Sequence, residues 1–197
     1  MKIVTLLSGG LDSSLLACLI NEEGLKQLPV FINYGQLNLN KEFDSCKRIC
    51  NLLHIKEPEQ IDLSGFGKSI QSGLTSTSLN INEDAFLPNR NAMLLLTASA
   101  YAYKNKCSHI AIGVLDEKKC IFPDQTRYFL NKMEELIEIS LGKQIHILSP
   151  FIDLNKGEII ALAEKKGINN TYSCHAGTEE PCGKCISCLE FINFKNL

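Results

Sequence analysis

The sequence predicts an α/β protein in which helices cover both faces of a parallel β-sheet. Short apolar segments alternate with longer segments whose apolar residues recur at helical spacing, over most of the 197 residues. This alternation is typical of repeated β–α units, whose strands run parallel because each helix returns the chain to the same edge of the sheet. Hydrophobic residues make up 45% of the chain and charged residues 21%, which excludes disordered, fibrous and collagen-like proteins.

Two predicted β–α units occupy the amino-terminal half of the chain. Residues 2–7 and 29–33 are predicted strands, because each is a short apolar run bounded by turn-forming residues. Predicted helices follow them at residues 13–21 and 41–53. The next segment, residues 64–89, is rich in Ser, Thr, Gly and Asn, and a connection of this length inside a compact domain is usually functional or mobile.

The same alternation continues in the carboxy-terminal half. Two helices and two strands are predicted there, the helices at residues 91–104 and 126–141 and the strands at residues 109–114 and 145–148. A last helix is predicted at residues 155–166, because its first residue is Asn and a Glu follows three positions later, as in a capping box.

The charge balance is close to neutral, with 20 Lys and Arg against 22 Asp and Glu and a formal net charge of −2. A domain that grips duplex nucleic acid through its whole surface is usually basic, so we expect no direct nucleic-acid partner. The sequence shows no secretory leader pattern and no apolar run of the roughly 20 residues that span a bilayer. We therefore expect a cytoplasmic protein without a membrane partner.

A glycine-rich turn joins the first predicted strand to the first predicted helix. It reads Ser8-Gly9-Gly10-Leu11-Asp12-Ser13. Adjacent glycines let backbone amides approach a ligand closely, and a helix start adds unpaired N–H groups and the positive end of its dipole. The residues of the turn match neither of the two best-known phosphate loops, G-x-x-x-x-G-K-[ST] and G-x-G-x-x-G. The turn is suited to hold phosphate oxygens; the alternative is a plain turn capped by Asp12 or Ser13.

This string resembles the pyrophosphate loop (PP-loop) of the N-type ATP pyrophosphatases, which cleave ATP between the α and β phosphates and adenylate a substrate. The resemblance implies a Rossmann-like sheet of the adenine nucleotide alpha hydrolase-like type. It also implies that the loop residues hold the leaving pyrophosphate, with Asp12 acting through Mg²⁺; these residues are Ser8, Gly9, Gly10, Leu11, Asp12 and Ser13.

Nine cysteines are present, and four of them lie close together near the end of the chain, at Cys174, Cys182, Cys185 and Cys188. Clustered cysteines in a reducing compartment more often bind metal than form disulfides. Four thiolates suit a tetrahedral Zn²⁺ site with no open position for water, which is a structural site. We therefore expect residues 1–170 to form the ATP pyrophosphatase domain and residues 171–197 to form a zinc-binding tail, folded by the metal.

Other interpretations of the cysteine cluster stay open. An iron–sulfur cluster fits the same ligand set, and His175 could replace Cys174 as a ligand. A disulfide scaffold is a further alternative. A redox C-x-x-C normally lies at a helix start after a strand, a context that the tail does not offer.

Together with the glycine-rich turn and the cysteine cluster, further motifs make the chain resemble the 7-cyano-7-deazaguanine synthase (QueC) family of the queuosine pathway over nearly its whole length. The cysteines match the zinc knuckle of that family in order and spacing. Four further motifs match in type and order: Asn33-Tyr34-Gly35-Gln36, Phe86-Leu87-Pro88-Asn89-Arg90-Asn91, Gly113-Val114 with Pro123-Asp124, and Lys156 with Glu158.

The resemblance implies an ATP-dependent carbon–nitrogen ligase. In the family reaction, ATP activates 7-carboxy-7-deazaguanine as an acyl-adenylate, and pyrophosphate leaves. Ammonia attacks to form the amide, and a second adenylation permits dehydration to the nitrile, 7-cyano-7-deazaguanine (preQ0). Positioning and charge neutralisation supply most of such catalysis. The resemblance also implies structural Zn²⁺, Mg²⁺ with ATP, and a homodimer.

Four residues are expected to be catalytic: Asp12, Ser13, Arg90 and Lys156. Arg90 is a bidentate donor suited to a carboxylate or phosphate, the alternative being a surface cap of the following helix. Lys156 could neutralise the β-phosphate, and a solvated surface lysine is the alternative. Tyr34 could stack on a planar base or simply fill the sheet edge.

The sequence departs from the family in the segment between Gly113-Val114 and Pro123-Asp124. Where the family reads like Glu-Thr-Asp-Phe-Ser-Gly-Tyr, residues 116–122 place Lys118 at an acid, Ile121 at the glycine and Phe122 at the tyrosine. A lysine cannot accept the N–H donors of a guanine-like edge. Outside this segment, Gln125 stands where the family often has cysteine, and Asn89 replaces a glycine.

This drift leaves two other functions open. One is a QueC-like acyl-adenylate ligase that joins a deazaguanine carboxylate to another amine, such as a protein N-terminus, and forms an amide. The other is a non-catalytic nucleotide- or tRNA-binding module, against which the mild acidity counts. The sequence also leaves open whether residues 64–89 form an active-site lid.

Overall fold

The structure is a computed structural model that describes residues 1–116, 118 and 120–195. Within these residues five strands form one parallel sheet; they are β1 (Lys2–Leu6), β2 (Lys26–Asn33), β3 (Glu59–Asp62), β4 (His109–Ala111) and β5 (His146–Leu148). Their order in space is β3-β2-β1-β4-β5. The predicted α/β class with a parallel sheet is therefore confirmed.

Seven α-helices and one short 3₁₀ turn (Pro123–Gln125) connect these strands in the described part of the chain. The helices are α1 (Leu11–Glu22), α2 (Leu39–Leu52), α3 (Ser64–Ser69), α4 (Arg90–Lys104), α5 (Arg127–Leu141), α6 (Lys156–Lys165) and α7 (Ile186–Lys195). None of the helices that the structure describes is long and apolar enough to cross a membrane.

Apolar side chains on the two faces of the sheet belong to separate cores. Val4 and Ile110 point to one face, where α4 and α5 cover them with Leu95 and Ile137. The adjacent residue Ile3 points to the other face, where α1, α2 and α6 pack. Neighbouring strand residues alternate between faces, so both faces of β1 must be apolar and covered.

The predicted helix starts agree with the capping chemistry. Asn155 accepts a hydrogen bond from the Glu158 N–H at 3.1 Å, and the Glu158 carboxylate accepts from the Asn155 N–H at 2.8 Å. This is the capping box that the sequence predicts. At α5, the Thr126 hydroxyl accepts from the Phe129 N–H, which makes Thr126 the cap rather than the first helical residue.

The sequence prediction missed β3 and α7. β3 is the four-residue segment Glu-Gln-Ile-Asp at the edge of the sheet, so its polar residues lack an apolar run. α7 contains Cys188, the last cysteine of the cluster, and packs against α6, with Phe191 against the core of that face. The segment predicted as one irregular stretch, residues 64–89, also contains the short helix α3.

The strand order reverses beside β1, because the chain passes to β2 and β3 on one side and to β4 and β5 on the other. In parallel α/β sheets, ligands bind in the crevice outside the carboxyl ends of the strands at such a switch point. A Cβ on Gly113, just after β4, would lie 3.2 Å from the backbone of Asp12 and Ser13. The chain after β4 therefore lies directly against the start of α1.

Candidate active site

A cleft of about 530 Å³ opens at the carboxyl edge of the sheet, at the switch point. Its walls come from the glycine-rich turn, the end of β2, the start of α4, the segment after β4, the start of α6 and the tail. Residues from motifs far apart in the sequence line this one cavity; they include Ser8, Gly10, Asp12, Ser13, Tyr34, Arg90 and Lys156. Gly9 and Leu11, the other two residues of the turn, are buried.

Close packing requires glycine at position 9. Gly9 has φ +78°, and a Cβ there would lie 2.3 Å from the Glu42 carbonyl oxygen. The Gly9 carbonyl accepts hydrogen bonds from the Ser45 hydroxyl at 2.7 Å and from the Tyr172 N–H at 3.0 Å. Because the peptide is trans, the following N–H of Gly10 points to the opposite side, which is the side of the cleft.

Hydroxyl groups surround the amides of the turn. Ser13 Oγ accepts from the Ser8 N–H and donates to the Gly10 carbonyl, both at 3.1 Å. The N–H groups of Gly10 and Leu11 reach only the hydroxyls of Ser8 and Ser173, at 3.4 Å each. Such long bonds are weak, and phosphate oxygens would be stronger acceptors for these helix-start amides. The turn thus has the geometry of an anion cradle.

Asp12 and Lys156 form an ion pair at the base of the cleft. Lys156 Nζ donates to the two carboxylate oxygens of Asp12 at 2.7 and 2.9 Å. The Lys156 side chain is only 6% exposed, which contradicts the alternative of a solvated surface lysine. Glu190 of α7 lies 3.8 Å from the same ammonium, and burial raises the pKa of this carboxyl while Lys156 opposes the rise.

Arg90 begins α4 and faces Tyr34 across the cleft. Asn89 before it is left-handed, with φ 59°, in the position where the family has glycine. The Arg90 guanidinium carbon lies 5.9 Å from the centre of the Tyr34 ring. Burial raises the pKa of the Tyr34 hydroxyl to about 12, and the Arg90 charge opposes the rise. Arg90 therefore offers a cation to the cleft rather than a mere surface cap.

Glu42 is a cleft residue that the sequence analysis missed. It lies in the first turn of α2, and its carboxylate accepts from the side-chain amides of Gln36 at 3.1 Å and Asn38 at 3.0 Å. Burial raises the pKa of this carboxyl to about 7, against the opposing effects of both amides and of Arg90. The sequence signal for Glu42 was its position four residues after Asn38 in the first turn of a helix, and an acid at such a position is common.

Residues 116–122, the segment in which the sequence departs from the family, largely line the cleft. Asp116, Cys120, Ile121 and Phe122 contribute to its wall, and the Phe122 ring lies 5.1 Å from that of Phe86. Lys118 is exposed, whereas positions 117 and 119, also part of this segment, lie outside the described residues. Gln125, another departure, lines the cleft as well and accepts from the Phe122 N–H at 3.3 Å. Of the altered residues, Ile121, Phe122 and Gln125 therefore belong to the cleft wall, whereas Lys118 does not line it.

The four cysteines of the tail converge on one point. Their sulfur atoms all lie within 4.8 Å of one another, and Cys182 Sγ is 3.9 Å from Cys188 Sγ. A tetrahedral zinc site with Zn–S bonds of about 2.3 Å places its sulfurs roughly 3.8 Å apart, so the cluster has the dimensions of a metal site. No disulfide joins the described cysteines. His175 lies outside this group and lines the cleft instead.

The tail is also part of the cleft wall. Ser173, His175 and Glu190 line the cavity, and the Asn38 amide donates to the Cys174 carbonyl at 3.0 Å. His175 Nδ1 is buried without a hydrogen-bond partner among the described residues. Burial and the charge of Arg90 together lower the pKa of His175 to about 4, so this ring is neutral near pH 7.

Comparison with solved structures shows the fold. The predicted subunit of tRNA methyltransferase from Methanocaldococcus jannaschii superposes with a TM-score of 0.58 at 18% identity, over 83% of this chain and 74% of that one. The U34-tRNA thiolase NcsA from Methanococcus maripaludis, with its [4Fe-4S] cluster, gives a TM-score of 0.56 at 15% identity, covering 100% of this chain and 65% of that one. At such identities the likeness concerns the fold alone.

Comparison of sequences shows the family. A 7-cyano-7-deazaguanine synthase from Campylobacter jejuni subsp. jejuni serotype O:6 is 32% identical over 215 residues, covering 99% of this chain and 96% of that protein. Another from Nitratiruptor sp. is 34% identical over 200 residues, covering 95% and 90%. The model of the family "Queuosine biosynthesis protein QueC" matches residues 2–191. The chain therefore belongs to the QueC family.

Proposed function

We propose that this protein is an ATP-dependent ligase that converts 7-carboxy-7-deazaguanine and ammonia to 7-cyano-7-deazaguanine. The observation that carries the proposal is that one cleft holds an anion cradle and the guanidinium of Arg90, in a chain of the QueC family. Relatives named 7-cyano-7-deazaguanine synthase match nearly the whole chain, which supports the same reaction here.

The cradle at Ser8–Ser13 would hold the leaving pyrophosphate. Its amides and hydroxyls stabilise charge that accumulates on the phosphates when the α–β bond breaks. Lys156 lies within reach of the same turn through its bond to Asp12. Mg²⁺ arrives with ATP, and the Asp12 carboxylate is the ligand we propose for it. Lys156 would then be free to turn to a phosphate oxygen.

Arg90 would hold the carboxylate of the acid before it is activated. A guanidinium binds a carboxylate through two parallel hydrogen bonds, which fixes the direction of the reacting oxygen. Tyr34 provides a flat surface beside it, and the Phe122 ring also lines the cleft. The planar bicyclic substrate therefore has stacking surfaces on its way to the cradle.

The cysteine cluster would hold structural Zn²⁺, bound by Cys174, Cys182, Cys185 and Cys188. All four positions of the tetrahedron are sulfur, so no position remains for water or substrate. The metal would supply folding energy to the tail, residues 171–197, rather than chemistry. We also propose the division into residues 1–170 and 171–197, a homodimer, and the cytoplasm as the site of action.

The test is incubation of the protein with 7-carboxy-7-deazaguanine, ammonium and MgATP. We expect AMP, pyrophosphate and the mass of the nitrile, with no product when the acid is omitted. Release of ADP and phosphate in place of AMP and pyrophosphate would contradict the proposal.

A second function is favoured by residues 116–122, because Ile121 and Phe122, which differ from the family, line the cleft. The enzyme would adenylate the same acid and pass it to another amine, such as a protein N-terminus. AMP formation without nitrile, together with a mass gain on a partner polypeptide, would support this second function and contradict the first.

A further inference from the structure

We infer that Glu42 is the proton acceptor for the nitrogen nucleophile that attacks the activated acid. This inference rests on the proposed function and adds a residue role to it. It starts from a carboxylate in the cleft that neither the cradle nor the acid-binding role of Arg90 uses.

Position is the first argument. The backbone carbonyl of Glu42 is the atom that a Cβ on Gly9 would strike at 2.3 Å, so the residue begins directly against the pyrophosphate cradle. Its carboxylate extends into the cleft, toward Tyr34 and Arg90. Glu42 thus lies against the cradle with its backbone and near the proposed acid-binding residue, Arg90, with its carboxylate. The bond from acyl carbon to nitrogen has to form between those two places.

The second argument is that this carboxylate is free to take a proton. In the part of the chain that the structure describes, Asp12 and Glu190 lie at the Lys156 ammonium, whereas Glu42 forms no ion pair. Each of its oxygens accepts one amide hydrogen, which leaves a further lone pair on each for a donor in the cleft. Burial moreover brings its pKa to about 7, close to the operating pH that suits a general base.

Asn38 fixes the orientation of the carboxylate. Its side-chain nitrogen donates to the Glu42 carboxylate at 3.0 Å and to the Cys174 carbonyl at 3.0 Å. Both neighbours are acceptors only, so the amide has to present its NH₂ group to them. Asn38 is itself buried. It is therefore a positioning residue that ties Glu42 to the cysteine cluster.

The step balances as follows. The nitrogen of neutral ammonia, or of another primary amine, forms a bond to the acyl carbon of the adenylate. The bond from this carbon to the phosphate oxygen breaks, and AMP leaves with the electron pair. One nitrogen proton passes to the ionised Glu42 carboxylate, which later releases it to water. The product is the amide, and no oxidant or reductant is required.

The experiment separates the two half-reactions in wild type and Glu42→Gln. Pyrophosphate release is measured in a single turnover with acid and MgATP alone, and amide plus nitrile are measured after ammonium is added. We expect pyrophosphate release within a few-fold of wild type and nitrogen transfer reduced about 100-fold or more. When the concentration of neutral ammonia is held constant, the acid limb of the pH–rate profile, near the pKa of Glu42, should also disappear. The charged and titratable groups around it are Arg90, Tyr34 and Cys46.

Two further variants keep the test specific. Asp44→Asn removes an exposed carboxylate from the same helix and should leave both half-reactions unchanged. Asn38→Ala should slow nitrogen transfer less than Glu42→Gln does and should shift its pH profile. Equal losses in both half-reactions of Glu42→Gln, or undiminished nitrogen transfer, would overturn the role of Glu42. A wild-type protein that releases no pyrophosphate would overturn the proposed function, and this inference with it.

Discussion

The Lys156 ammonium donates hydrogen bonds to both carboxylate oxygens of Asp12, at 2.7 and 2.9 Å, although 144 positions separate the two residues. Asp12 lies in the first turn of α1, and Lys156 begins α6. The pair therefore joins the glycine-rich turn to the start of α6.

Replacing Lys156 tests this pair. Lys156→Gln should lower AMP formation about 100-fold, because a fixed positive charge is lost where negative charge develops. It should also reduce the free energy of unfolding by roughly 2–3 kcal/mol, because one partner of a largely buried pair is removed. Lys166→Gln is the matched control, since Lys166 pairs with Glu22 at the surface. Its effect on stability should stay below about 1 kcal/mol. Similar values for both variants in kinetics and denaturant melts would contradict the prediction.

A methyl group at Gly9 should damage the cradle. Both Gly9 and Gly24 have positive φ, +78° and +68°, but a Cβ on Gly24 meets nothing within 4 Å. Gly24→Ala should therefore cost only the left-handed strain of about 1–2 kcal/mol. Gly9→Ala should cost a further 1–3 kcal/mol or so from overpacking against the Glu42 carbonyl, with loss of AMP formation. Chemical denaturation of both variants gives the difference, and equal costs would show that the close approach is unimportant.

Arg90→Lys should weaken binding of the acid more than binding of ATP. A lysine ammonium is a point charge and cannot form the two parallel hydrogen bonds of a guanidinium. We expect KM for 7-carboxy-7-deazaguanine to rise about 10-fold, the equivalent of one lost charge-assisted hydrogen bond. Arg127→Lys is the control, because Arg127 makes a two-pronged contact with Asp153 outside the cleft. Equal changes in KM for both substrates of Arg90→Lys would argue for a structural role.

Cys185→Ser should abolish metal binding and loosen the tail. Elemental analysis of wild type should show about one zinc per chain, in line with a site of four thiolates. The variant should show none, and chelators should no longer change its melting temperature. Cys107→Ser changes a buried cysteine outside the cluster and should keep the metal. A variant Cys185→Ser with unchanged metal content would refute the assigned ligands, and iron in place of zinc would correct the metal.

The stability of the protein should depend on the ionisation of Glu42. Its pKa is raised by burial to about 7 in the folded chain, above its ordinary value of 4.5. Folding therefore favours the protonated form, and this contribution is complete below pH 4.5 and is lost as the pH rises to about 7. The loss should be on the order of 1–3 kcal/mol and should be absent from Glu42→Gln. Unfolding free energies at pH 5 and pH 8 measure it; parallel curves for both proteins would contradict the prediction.

Much of the fold could be predicted because the signals are local. The alternation of apolar strands and amphipathic helices, and the Asn155–Glu158 capping box, depend on residues within one or two turns of each other. β3 escaped prediction because an edge strand with polar side chains carries no apolar pattern. α7 escaped because its first residues read as part of the cysteine cluster, and its docking on α6 is a contact between distant segments.

The order of residues along the chain was sufficient to single out the glycine-rich turn and the four-cysteine cluster. Glycines, hydroxyls and thiols lie at short spacings in these two motifs, so their chemistry can be predicted before the fold is known. Only the tertiary structure places Glu42 against the cradle and near Arg90. It also pairs Lys156 with Asp12 and makes the tail a wall of the cleft. These relationships join residues that lie dozens to more than a hundred positions apart, and their energies depend on burial and distance, which arise only when the sheet and its covering helices assemble.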